Sequence, residues 1–183
     1  MSTHEEHERI TAALADQRRH VEGWFAALPA GEESRPLTAS EVASGGMWSP
    51  KDHLAHVLGV ERFFQGAIKR MLGGAEDPLG FFTATGSDDP ADHFAMINQA
   101  NERSANKYRD ETVAGLLGRF DEMRQATLAL LATLDEAQLA QTVPHSPYDD
   151  TSLGGLFRLI ASHGHQHLSW LDSAIAARDK PGA

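Results

Sequence analysis

Along most of the chain, apolar residues recur at three- and four-residue steps, the pattern of helices that bury one face. From His4 to about Leu28 the stripe is Ile10, Leu14, Val21, Trp24 and Leu28. Gln17 lies on it, so its amide either bonds a neighbouring helix or lines a pocket. Pro29, Gly31 and Pro36 end this first helix. A second start follows at Ser49, with Pro50 at the first helical position and Asp52 placed to complete a capping box. The helix runs from about Pro50 to Leu72 and closes at Gly73-Gly74. Its arc of Leu54, Val57, Val60, Phe63, Phe64, Ile68 and Met71 also takes in His53 and His56. Periodicity does not choose between these histidines and sets His53 slightly deeper.

Residues 74–89 form a polar loop around Leu79, Phe81 and Phe82, which either covers a pocket or tucks its rings onto the body of the protein. Asp89-Pro90 starts a third helix to about Tyr108, with Phe94, Ile97, Ala105 and Tyr108 inward and Asn101 on the same stripe. From Thr112 to Leu134 a further stripe holds Val113, Leu116, Leu117, Phe120, Thr127, Leu131 and Leu134. Arg109 to Glu111 is a weak break, so these two segments read equally as one kinked helix. Arg124 sits at the edge of the stripe, where it either meets a substrate carboxylate or extends past its apolar stem to solvent. The final helix, from Thr151 to Ala177, buries Leu153, Leu156, Phe157, Ile160, Leu171 and Ile175. Four long amphipathic helices without a strand pattern predict an all-α four-helix bundle, a single domain over residues 1–183.

Composition narrows the function. The chain has no cysteine, which excludes disulfides, thiolate metal sites and a cysteine nucleophile, so any thiol chemistry must use a small-molecule thiol. A net charge of −10, with no basic stripe to override it, argues against nucleic acid as a partner. No apolar run approaches the roughly 20 residues that span a bilayer, and the polar start Met1-Ser2-Thr3-His4 has no signal-peptide core; a cytoplasmic protein that does not enter membranes is expected.

Histidine supplies the candidate chemistry. His163 and His167 lie four residues apart inside the final apolar stripe, close enough to share a metal ion with a third ligand from elsewhere. Equally, each can be a core histidine hydrogen-bonded to a neighbour. His165 points the other way, with Arg158 and Asp172. His7, His20, His93 and His145 have no partner at ligand spacing and read as surface or pocket-rim residues. The three tryptophans read as core and helix-interface anchors.

The run Trp48-Ser49-Pro50-Lys51-Asp52-His53-Leu54-Ala55-His56, followed far downstream by His163-x-x-x-His167, resembles the DinB/YfiT-like superfamily of four-helix-bundle metalloproteins. The resemblance covers nearly the whole chain in element order. It implies a metal triad of His56, eight residues after the tryptophan, with His163 and His167. Where the family often has glutamine three residues after the last ligand, this chain has Trp170. Gly164 is a second oddity, costing about 1 kcal/mol relative to alanine in mid-helix.

Three imidazoles would hold Zn or Ni, with Fe or Mn as further candidates, and leave positions for water or substrate. Such a metal can activate water or hold a thiol as thiolate. Members of the superfamily include mycothiol- and bacillithiol-dependent transferases and isomerases, and others are described as metal-dependent hydrolases. The resemblance therefore implies a metal-dependent enzyme of thiol-transferase type acting on a small molecule, with a low-molecular-weight thiol as co-substrate. A hydrolase, or a bundle that sequesters a small molecule without turnover, are the alternatives. His53, Gln17, Asn101 and Arg124 are the expected pocket-lining residues, and a homodimer is the expected assembly.

Overall fold

The computed structural model describes residues 5–40, 42 and 46–180; the expected helix start at His4 lies outside them. Among the described residues there are seven α-helices: α1 (Glu5–Ala27), α2 (Pro50–Leu72), α3 (Phe81–Thr85), α4 (Pro90–Lys107), α5 (Val113–Leu131), α6 (Glu136–Leu139) and α7 (Leu153–Arg178). The start signals of α2 and α4 act as the sequence suggests, whereas α7 is capped by Ser152 and starts at Leu153, not at Thr151. Ser49 and Asp52 form the capping box of α2 with Pro50 inside it, Asp89 caps α4, and Thr112 caps α5. That last cap settles the break: α4 and α5 are separate helices. Two short strands, β1 (Thr38–Ala39) and β2 (Met47–Trp48), pair antiparallel ahead of α2. No strand pattern predicts them, because two residues are too few to show a period.

Helices α1, α7, α2 and α5 pack in a closed ring, each against the next. Side-chain pairs give the directions. Glu6 pairs with Arg158 and Trp24 with Asp172, so α1 and α7 are parallel. Lys51 reaches the Arg109 carbonyl and Gln65 that of Met123, so α2 and α5 are parallel. His53 meets His167 and His56 meets His163, so α2 and α7 are antiparallel. Two consecutive bundle helices running the same way need a return path, and α4 supplies it, packed along α2 with Glu102 bonded to Trp48. The four-helix bundle is therefore built with a fifth long helix on its outside. Phe94, expected inward, is 42% exposed, since α4 lies outside the ring and packs against α2 and the short α3 alone among the helices in close contact with it. Phe81 of α3 is buried against Phe63 and His93, so this loop tucks a ring onto the bundle.

The core has two apolar clusters. Ile10, Leu14, Phe64, Ile68, Leu131, Leu156, Phe157 and Ile160 fill one end. Val21, Phe25, Leu54, Leu58, Leu116, Phe120, Leu168 and Leu171 fill the other. Between them lies a polar layer: Gln17 from α1, Glu61 from α2, and Arg124 and Thr127 from α5, all buried. Gly164 of α7 lies against Gln17 and completes it. Among the described residues no helix is long and apolar enough to cross a membrane.

Candidate metal centre

The capping box sets the start of α2, and with it the register that turns His53 and His56 toward α7. Trp48, just before the cap, packs on both rings with centroids 5.3 and 5.4 Å away. Its indole N–H donates to Glu102, which ties this wall to α4. From the opposite side α7 presents His163 and His167, one turn apart. Nε2 of His163 lies 2.8 Å from Nε2 of His56 and 3.1 Å from Nε2 of His167. Three ring nitrogens thus point at one place, from helices joined by more than half the chain.

These residues fit a cation. Zinc at about 2.0–2.1 Å from each nitrogen would separate tetrahedral nitrogens by roughly 3.3 Å, a few tenths beyond the spacing here. A neutral imidazole has one N–H and one lone pair, so Nε2 of His163 cannot donate to both neighbours, whereas three lone pairs can share one positive ion. The rings are also in the protonation state a metal needs. Burial, then the nearby imidazole of His53, holds His163 down at about 4. Burial also brings His53 to about 4 against the opposing pull of Asp52. His56 and His167 are lowered by burial first and by their neighbouring imidazoles second. No carboxylate joins the cluster, and the three histidines are the group among the described residues able to hold a metal.

Support behind the three rings is uneven. Nδ1 of His167 is 2.7 Å from Nδ1 of His53. Nδ1 of His56 is buried with no hydrogen-bond partner among the described residues. His56 and His167 are each 1% exposed, and His163 is half-buried, so solvent reaches the cluster on the His163 side. Trp170, three residues after His167, is 40% exposed with its ring 4.7 Å from that of His167. It is a wall of the site more than a core anchor.

Of the four expected pocket-lining residues, His53 lies in the cluster, in contact with His167. Gln17 and Arg124 are not at an opening. Both are 0% exposed in the polar layer, where Arg124 donates to both oxygens of Glu61 at 2.9 Å, to the Leu14 carbonyl and to Oε1 of Gln17. An arginine with a buried carboxylate beside it does not need to reach solvent. Asn101 is half-buried on α4. His93, expected at the surface or a pocket rim, is 1% exposed, with Nε2 2.6 Å from the Ser87 carbonyl oxygen. His145 lies by Asp88, and His7 by the Leu131 carbonyl.

Two residues escaped the sequence reading. Glu61 falls on the row Leu54, Leu58, Glu61, Gln65, Ile68, whose steps of four and three mark it as inward-facing. Thr38, with Oγ1 2.7 Å from Nε2 of His53, carries no such signal, since only chain folding brings β1 to α2.

A family model described as the DinB superfamily matches residues 39–171, well over half of the chain. No curated protein and no solved structure matches it.

Proposed function

The chain belongs to the DinB superfamily, and from that premise we propose that it is a divalent-metal-dependent enzyme of thiol-transferase type acting on a small molecule, with the cation held by His56, His163 and His167. The observation that carries the reading is the convergence of the three Nε2 atoms, at 2.8 and 3.1 Å, in neutral rings. Three protein ligands leave coordination positions open, where a structural zinc site is usually closed by four. Zn or Ni suits an all-imidazole set best, with Fe or Mn behind them. When bound, such a cation supplies Lewis-acid chemistry, favouring the thiolate form of a thiol and polarising an electrophile.

The chain's own residues set the conditions for that chemistry. Trp48 and Trp170 wall the cluster with apolar rings, which keeps water scarce and strengthens electrostatic interactions within it. The partly exposed His163 marks the side from which substrate and thiol approach. With no cysteine in the sequence, the thiol is a separate small molecule.

Two measurements test the reading in sequence. Metal analysis of protein purified without chelator, beside His163→Ala and His167→Ala, is expected to find metal in the wild type and little in the variants. Equal content overturns the site. Loaded protein is then assayed for conjugation of low-molecular-weight thiols to a panel of electrophiles. Turnover that needs no thiol makes the protein a hydrolase instead, and ligand-induced stabilisation without product makes it a sequestering module. A homodimer belongs to the same proposal, supported by Phe63, Phe82 and Phe94 left 36–42% exposed. A monomeric mass by light scattering would overturn that part.

A further inference from the structure

His167 is the end of a line of polar groups. Thr38 of β1 lies with Oγ1 2.7 Å from Nε2 of His53, and Nδ1 of His53 lies 2.7 Å from Nδ1 of His167. Nε2 of His167 is then 3.1 Å from Nε2 of His163. His53 is 4% exposed, so these contacts are its alternatives to water. Resting on the metal reading above, we infer that Thr38 and His53 are positioning residues for His167: they fix which of its ring nitrogens carries the proton, and so present the Nε2 lone pair to the cation.

The proton accounting decides the argument. For His167 to offer Nε2 as a ligand, its one proton sits on Nδ1. That N–H donates to Nδ1 of His53, which can accept only when His53 carries its own proton on Nε2. The Nε2–H of His53 in turn donates to Oγ1 of Thr38. Every proton has a place and every ring is neutral.

The opposite polarity runs along the same line, but it leaves the 2.8 Å contact between Nε2 of His163 and Nε2 of His56 without a lone pair of its own. Thr38 O–H donates to Nε2 of His53, Nδ1–H of His53 donates to Nδ1 of His167, and Nε2–H of His167 donates to His163. The line from Thr38 to His167 can thus run in either direction, and a cation on Nε2 of His167 selects the one that puts its proton on Nδ1.

A ligating histidine is ordinarily backed by a carboxylate, a carbonyl or water. An imidazole in that place holds the ring equally well but adds no negative charge, so the ligand set and its support remain neutral and a divalent ion keeps more of its electrophilic character. The hairpin holds the relay in place: Thr38 pairs in register with Trp48, whose ring covers His53 and His56.

The test uses zinc alone, with affinity measured by competition against a chromophoric chelator. His53→Phe keeps the ring bulk without a nitrogen, His53→Gln restores a carbonyl that can accept from Nδ1–H of His167, and Thr38→Val removes only the hydroxyl. His53→Phe is expected to bind zinc roughly 10–100-fold more weakly, His53→Gln to recover most of the loss, and Thr38→Val to lose less than His53→Phe. Nitrogen-15 NMR of the imidazoles in zinc-loaded wild type is expected to place the proton of His53 on Nε2 and that of His167 on Nδ1. Thermal melts of the chelated variants separate lost affinity from lost folding, and the NMR result stands even if His53→Phe does not fold.

A folded His53→Phe protein with wild-type zinc affinity, or a His53 proton on Nδ1, overturns the relay and leaves the metal site standing. Wild-type protein that takes up no zinc overturns the metal site, and the relay with it.

Discussion

Gly164 joins the core to the candidate metal centre, and adding a single methyl group there tests both. A Cβ at this position would stand 2.6 Å from Nε2 and 3.0 Å from Cδ of Gln17. A solvent-exposed glutamine would swing aside at little cost. Gln17 cannot, because it is fully buried, its Nε2 donates to the Ile160 carbonyl at 2.8 Å, and its Oε1 accepts from Arg124. Moving it breaks both bonds inside the core, where each group left unsatisfied costs about 1–3 kcal/mol. Against that, alanine gains about 1 kcal/mol of helix propensity over glycine.

Gly164→Ala is therefore expected to destabilise the protein by about 1–5 kcal/mol, with Tm falling about 2–4 °C for each kcal/mol at this chain length. The sign should reverse in a Gln17→Ala background, since the three nearest atoms to the new Cβ all belong to Gln17. There the substitution becomes neutral or stabilising by up to about 1 kcal/mol. Thermal and urea unfolding of the two single variants and the double variant, read as a cycle, provide the assay. A Gly164→Ala protein that melts at or above the wild-type temperature would refute the reasoning.

Other perturbations follow from the same contacts. Glu61→Leu strands the buried Arg124 and should cost about 3–5 kcal/mol, as should Arg124→Met alone, while the two together recover much of the loss because both charges leave the core; single variants that unfold like wild type in urea would contradict this. The chelated protein should lose stability as pH falls. His53 and His163 titrate near 4 when folded and near 6.5 when unfolded, so the unfolded chain binds more protons between those values. Stability is thus complete above about pH 6.5 and lost progressively toward about pH 4; flat melting temperatures across that window would count against neutral rings in the cluster. Zinc at a hundred times its Kd should add about 2.7 kcal/mol of stability, removed by chelator. The same addition should do nothing to the melting of His56→Ala, and a shift of wild-type size in that variant would place the metal elsewhere.

Much of the helical architecture can be read from sequence because its causes are local. The caps at Ser49, Asp89 and Thr112 and the three- and four-residue apolar steps depend on neighbours within one or two turns, so each helix is legible in its own segment. The pair His163 and His167 is legible for the same reason, one turn apart on one face. Periodicity alone leaves open which of His53 and His56 joins them; the family resemblance points to His56, and the tertiary structure supplies the physical reason. Both lie on the inward arc of α2, and the packing of α7 across that arc brings Nε2 of His56 to His163 while leaving His53 behind His167.

The polar layer follows the same division. That Gln17 and Glu61 face inward is written in their spacing, and Arg124 lies at the edge of its stripe. That they meet one another, and that Gly164 leaves room for the Gln17 amide, is a property of four helices in one ring. Burial of a charge is tolerable only beside its partner. A single helix read alone cannot show that partner when it arrives from another helix more than sixty residues away.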